Sequence, residues 1–314
     1  MLKTRLVGFD LNTCIFNASG PNCTTLDELI ELASCPDTSV TLTKSTTKEK
    51  RQGNPEPRYW ESPNLTINST GLANMGYEFY GQVAPVVKYV NITKPYAVSV
   101  AGLSHDDNLE MIKDLSFKQP IDWIELNLSC PNVIGKPQTG YDLEASETLL
   151  RKIYDNVTNP KPIGVKLPPY FDGVHITQMA ELLQEFPIRF VTCINSLGNG
   201  LVVDTETECP VIRPKCGLGG IGGDVILPFA LSNVFQFRNV LSERIDVVGC
   251  GGISSGEAAF QHILVGATAI QIGSSYMKEG IGCFERITRE LQDIMTQKGY
   301  KTLDEFRGTL KEMD

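Results

Sequence analysis

VVGCGGISSGEAA, residues 247–259, ends an apolar, β-branched run on two bare glycines and then passes through hydroxyls into a helical pattern. AIQIGSSYMKEG, residues 269–280, repeats that order one unit later. A short apolar run stopped by glycine and followed by a helical period is one strand–helix unit of a parallel sheet. Six earlier runs of the same kind lie at 14–17, 40–44, 97–101, 123–127, 163–166 and 190–194, and the two quoted stretches add 246–250 and 269–272. Helical patterns at 25–34, 107–115, 146–156, 176–185, 227–241, 256–265 and 283–298 complete the alternation. Eight such units predict an α/β fold, the (β/α)8 TIM barrel, as one domain over residues 1–314.

The usual barrel needs about 250 residues. The surplus falls in two stretches rich in Pro, Gly and polar residues, about 45–68 and 195–223. Both follow a strand, so they are predicted as β-rich insertions over the C-terminal face, where this fold carries its active sites. An open doubly wound sheet is the alternative. It asks for GxGxxG in its first turn, and NASGPN at 17–22 does not supply it.

The residues at the strand ends form a set. They are Asn17-Ala18-Ser19-Gly20, Lys44-Ser45, Ser99, Asn127, Lys166, Asn195-Ser196, Gly251-Gly252 and Gly273-Ser274. Each alone has an ordinary explanation: Lys44 as a surface lysine, Gly251-Gly252 as a turn, Asn195 as a helix cap. In a barrel all eight converge on one pocket. Glycine amides at a helix start hold phosphate well, and the loops after strands 7 and 8 are the usual phosphate site of this fold. Gly219 to Gly223 add further bare amides, and no GK[S/T] follows, so this is not a P-loop.

Lys44 and Lys166 would then sit at the barrel axis, where an ammonium needs a polar or anionic partner. The pyrimidine edge of a flavin, which gains negative charge on reduction, would serve; a Schiff-base lysine is the rival chemistry. Cys130, just past the fourth strand, is the candidate base. A thiol has a pKa of about 8.5 unless neighbouring cations lower it. The three histidines are poorer candidates: His262 lies on an apolar helix face, and His105 and His175 are placed in loops.

A net charge of -9 with no Lys/Arg run excludes a nucleic-acid phosphate-backbone binder. No apolar stretch approaches 18 residues and the start lacks a signal peptide, which predicts a cytoplasmic protein with no membrane partner. Nine cysteines with no CxxC pair argue against a disulfide framework and against a metal site.

Six collinear motifs add a resemblance. NLSCPN at 127–132, GNPEPRY at 53–59, INSTGLAN at 67–74, GVKLPPYFD at 164–172, NSLGNGLVVD at 195–204 and GGIGG at 219–223 resemble the dihydroorotate dehydrogenases, in particular the class 1A branch. The likeness runs from about Asn17 to KGYKTLDEFRG at 298–308. It implies an FMN-containing barrel that oxidises dihydroorotate to orotate in pyrimidine biosynthesis, a cytosolic homodimer, and fumarate as electron acceptor. Carried over, Cys130 takes the substrate C5 proton while C6 gives hydride to flavin N5. Asn68, Asn127, Asn132, Asn195, Ser196, Lys44 and the backbone of Gly71 and Leu72 hold the substrate. Ala18, Ser19, Gly20, Lys44, Ser45, Ser99, Asn127, Lys166 and Ile194 line the flavin, and Gly222, Gly223, Gly251, Gly252, Gly273 and Ser274 hold its phosphate end. Residues 131–138 resemble a gate, with Gly135 allowing movement.

Five positions depart from the family pattern: Thr70 for methionine, Pro21 and Asn22 after the first strand, Ser274 for threonine, and Phe229 for threonine. Three rivals stand beside this reading. One is a flavin barrel acting on another reduced pyrimidine or on tRNA dihydrouridine, the latter at odds with the acidic charge. Another is a non-redox aldolase or isomerase using Lys166 as Schiff base. The third is a silent paralogue.

Overall fold

The computed structural model describes residues 1–129 and 138–313. Eight strands make the barrel: β1 Ile15–Asn17, β2 Thr41–Leu42, β3 Tyr96–Val100, β4 Trp123–Asn127, β5 Ile163–Lys166, β6 Phe190–Cys193, β7 Asp246–Cys250 and β8 Ala269–Ile272. They pair in parallel in the order β1-β8-β7-β6-β5-β4-β3-β2. The remaining seam, between β1 and β2, is bridged by a side chain. Asn17 donates Nδ2 to the Leu42 carbonyl at 2.7 Å, and the Leu42 amide donates to Asn17 Oδ1 at 3.0 Å. One carboxamide thus makes the two bonds that a ladder residue would have made.

Strand alternation sorts the side chains into two cores. Ile15, Val98, Val100, Ile124, Leu126, Val165, Val191, Val247 and Ile270 pack outward against the helices. Phe16, Leu42, Ala97, Trp123, Phe190, Val248 and Ala269 fill the lower barrel interior. An N-terminal antiparallel hairpin, Thr4–Leu6 with Phe9–Leu11, adds Leu6, Val7 and Leu11 to that inner cluster, with the Phe9 ring 5.5 Å from Trp123. Gly164 makes room here, since a Cβ would lie 2.1 Å from the Phe190 ring. The interior is therefore a packed plug at this level.

The helices are α1 Leu26–Ser34, α2 Tyr77–Val90, α3 His105–Phe117, α4 Leu143–Asn156, α5 Gly173–Gln184, α6 Leu227–Val240, α7 Gly256–Leu264, α8 Ser274–Glu279 and α9 Gly282–Lys298. Helix α1 starts on a capping box in which Thr25 and Glu28 satisfy each other's backbone amides. The strand expectations hold to within two residues at each end. Helix α2 is an addition: Pro85 inside it and Gly81 one turn earlier mask its period in the sequence. His105 and His175 stand in the first turns of α3 and α5 rather than in loops, and His175 is exposed beside Asp172.

The two insertions meet over the C-terminal ends of the strands. Tyr59–Glu61 and Thr66–Asn68 form a hairpin that pairs with Gly219–Gly222, which in turn pairs with Leu197–Gly200. The register sets Gly222 opposite Thr66 and Gly220 opposite Asn68. Two stretches far apart in sequence are thereby fixed into one roof over the barrel.

Candidate active site

A cavity of about 420 Å³ lies between this roof and the strand ends. That volume is within the range of small-molecule sites, roughly 300–1,000 Å³. One end is nearly bare of side chains and is lined by Gly222, Gly223, Gly251, Gly252, Gly273 and Ser274. The Gly223 amide donates to Ser274 Oγ at 3.2 Å, and Thr66 Oγ1 lies 3.3 Å from the same hydroxyl. A Cβ on Gly222 would come within 2.8 Å of Thr66 Oγ1 and 3.1 Å of Ser274 Oγ. At Gly252 φ is +73° and a Cβ would strike Leu227 at 2.4 Å, so only glycine fits.

His262 supports this end from below. It is fully buried, and burial pushes its imidazole down to about 4, so it is neutral and donates Nε2–H to the Gly251 carbonyl at 3.0 Å. Fixing that carbonyl fixes the peptide turned towards the cavity. The expectation that His262 is a core residue holds, and the contact adds a purpose to it.

The other end is a polar layer resting on the apolar plug. Lys166 donates to Gln271 Oε1 at 2.8 Å, and Gln271 donates Nε2 to Glu125 Oε2 at 2.7 Å. Glu125 is fully buried and also accepts from Thr192 Oγ1 at 2.9 Å and Ser19 Oγ at 3.2 Å. Ser45 contacts Ser19 at 3.2 Å and Ser99 at 2.9 Å, and receives Asn127 Nδ2 at 3.1 Å. Ala18, Gly20, Lys44 and Ile194 close the walls. Lys44 donates to the Gly20 carbonyl at 2.8 Å. The nearby Cys23 thiol is pushed up to about 12 by burial even with Lys44 alongside, so it is inert.

Amides gather above this layer. Asn127 Oδ1 accepts from the Ser129 amide at 3.0 Å and its hydroxyl at 3.1 Å, and Asn195 Nδ2 donates to Ser129 Oγ at 3.0 Å. The Ser196 amide donates to Asn195 Oδ1 at 2.8 Å, and Asn68 Nδ2 donates to the Gly220 carbonyl at 3.2 Å. Carboxamides and ammonium groups around an apolar-walled slot suit a flat polar ring bearing a negative charge.

Residues 1–295 match the family model described as dihydroorotate dehydrogenase. The chain belongs to the dihydroorotate dehydrogenase family. Relatives described as dihydroorotate dehydrogenase A (fumarate) from Lactococcus lactis subsp. lactis and subsp. cremoris are each 46% identical over 314 residues, covering 100% of both chains. A solved dihydroorotate dehydrogenase from Eimeria tenella, in complex with ferulenol, superposes with a TM-score of 0.81 at 17% identity, covering 98% of this chain and 88% of that one. That last likeness concerns the fold.

Of the residues that the family resemblance selected, Ala18, Ser19, Gly20, Lys44, Ser45, Asn68, Leu72, Asn127, Lys166, Ile194, Asn195 and Ser196 line the cavity together with the glycine end. Ser99 lies one layer beneath and reaches the cavity through Ser45. Gly71 is not in the lining; its φ is +67° and a Cβ would meet Asn54 Oδ1 at 2.4 Å. Cys130, Asn132 and all of the proposed gate except Gln138 lie outside the described residues.

Several residues of the site were missed in the sequence: Gln271, Thr66, Glu56, Arg58 and Tyr59 in the lining, and the buried Glu125 beneath it. Glu125 and Gln271 are inward positions of β4 and β8, one strand period above Trp123 and Ala269, so alternation carried the signal. Thr66, Glu56, Arg58 and Tyr59 come from the first insertion, with Glu56 paired to Arg58 at 2.7 Å. No local period reveals that loop's path.

Proposed function

We propose that this chain oxidises dihydroorotate to orotate with FMN as its bound cofactor and fumarate as electron acceptor. The carrying observation is that one cavity joins a glycine–hydroxyl cradle to a bed of lysines and asparagines. The cradle fits a phosphate: its wall is glycine, a Cβ at Gly222 would fill it, and Ser274 and Thr66 bring hydroxyls to the same point. A flavin without phosphate would leave these donors unused. The family is flavin-dependent, in keeping with that fit.

When bound, FMN would supply the two-electron redox chemistry as the hydride acceptor. The chain's own residues do the rest. Lys166, held by Gln271, would face the pyrimidine edge of the flavin and balance the negative charge it gains. Lys44 would pair with substrate charge. Asn68, Asn127 and Asn195, with Asn132, would bind the ring amides and carboxylate and hold C5 towards the base. Cys130 would remove the C5 proton, a contribution of roughly 10²–10⁴ in rate for a positioned base.

Among the described residues no helix is long and apolar enough to cross a membrane; a cytoplasmic location is proposed on the family's pattern. A homodimer is proposed on the family's pattern, and the exposed Phe171–Phe229 ring pair, 6.0 Å between centroids, offers apolar surface for it. The functional test is an anaerobic absorbance titration of the purified protein. Dihydroorotate should bleach a yellow flavin band and fumarate should restore it; bleaching by NADH alone contradicts the proposal.

A further inference from the structure

We propose that Glu125 is a positioning residue whose carboxylate sets the direction of the hydrogen-bond chains that hold Lys166, Asn127 and Asn195, and through them both flavin potential and orotate affinity. The inference rests on the functional reading above. Glu125 is fully buried at the centre of the barrel, on β4 between Trp123 below and Asn127 above. Among the described residues its carboxylate accepts from Ser19, Thr192 and Gln271. An ionised carboxylate only accepts, so it is a fixed end point for whatever chain reaches it.

Two chains end there. In the first, Gln271 gives its Nε2–H to Glu125, which forces its Oε1 to face Lys166 and accept at 2.8 Å. The carboxylate thereby orients the amide that anchors the ammonium. In the second, Ser19 spends its only proton on Glu125, so the Ser19–Ser45 contact has Ser45 as donor. Ser45 then has no proton left and must accept from Asn127 Nδ2. Asn127 is thus held with Oδ1 towards Ser129, whose hydroxyl donates to it and in turn accepts from Asn195 Nδ2. From Asn195 to Glu125 each donor points one way. A group able both to donate and to accept at position 125 would let this order reverse, and both asparagines would hold a ligand in mixed orientations.

The charge matters as well. Glu125 offsets Lys166 through one amide. Removing the negative charge leaves the lysine uncompensated beside a flavin that becomes more negative when reduced, so reduction becomes easier.

The test is Glu125→Gln, nearly isosteric, in the flavin-loaded protein, with two readouts besides turnover. The flavin midpoint potential should rise by at least a tenfold change in the reduction equilibrium, about 30 mV for two electrons. The dissociation constant for orotate, read from its perturbation of the flavin spectrum, should weaken about tenfold or more. A merely structural glutamate would lower the melting temperature and leave both within twofold, which overturns the proposal. A change in only one of them overturns the single-acceptor scheme. If the variant does not fold, Gln271→Leu cuts the lysine branch alone. It should move the potential and leave orotate affinity within twofold; the reverse pattern, or no shift, refutes the scheme. Failure of dihydroorotate to reduce the wild-type flavin refutes the functional reading separately, before any variant is made.

Discussion

Ser274→Ala tests the phosphate cradle in a way that isolates the phosphate. The serine accepts the Gly223 amide at 3.2 Å, and that bond can persist with or without ligand. Its own proton is the variable part. In the free protein it faces Thr66 Oγ1 at 3.3 Å or water, a neutral contact of about 0.5–1.5 kcal/mol. With FMN bound it would donate to a phosphate oxygen, a charge-assisted bond of about 1.5–3 kcal/mol. The difference, about 1–1.5 kcal/mol, corresponds to a loss of roughly five- to twelve-fold in FMN affinity. The assay is fluorescence titration of flavin-stripped protein with FMN and, in parallel, with riboflavin, which has the same ring and no phosphate. FMN should weaken by that factor while riboflavin does not change. Equal weakening of the two ligands, or no effect on FMN, would refute the placement of the phosphate at Ser274.

Three further outcomes are expected. Cys130→Ala should keep its flavin and its yellow colour but be bleached by dihydroorotate about 10²–10⁴-fold more slowly in stopped flow; an unchanged rate removes the base assignment. Asn17→Leu should leave the buried Leu42 amide and carbonyl without partners and lower unfolding free energy by about 2–5 kcal/mol in urea, whereas a loss below about 0.5 kcal/mol would show the seam is held otherwise. His262 is held neutral in the native state down to about 4, while the unfolded chain takes up its proton near 6.5. Its contribution is therefore complete above pH 6.5 and is lost as pH falls from there through 4, about 3 kcal/mol in all. The unfolding free energy of the wild type relative to His262→Gln should decline across that window, and a difference flat with pH would contradict the burial argument.

Much of the barrel was legible because each strand is short, apolar and stopped by glycine, amide or lysine, and its helix follows with a clear period. Helix α2 escaped because Gly81 and Pro85 break the pattern that tertiary packing then restores. The N-terminal hairpin escaped because three-residue strands carry almost no period. At the site, the glycine end could be read from composition at the strand ends. Glu125 could not be read by inspection of WIELN as a hydrophobic run, yet strict alternation places it inward, beside Thr192 and Gln271 from two other strands and Ser19 from the loop after β1. What brings those four together is barrel closure, a property of the assembled sheet rather than of any one segment. Arg58 and Thr66 depend in the same way on the antiparallel sheet formed by two insertions more than a hundred residues apart.

A crystal structure with FMN and orotate tests the central claim most directly. The phosphate should lie within hydrogen-bond reach of Ser274 Oγ and the Gly252 amide, against Gly222 and Gly223, with orotate between the flavin and Asn68, Asn127 and Asn195. A phosphate bound away from those glycines, or orotate outside the asparagine bed, would contradict the account.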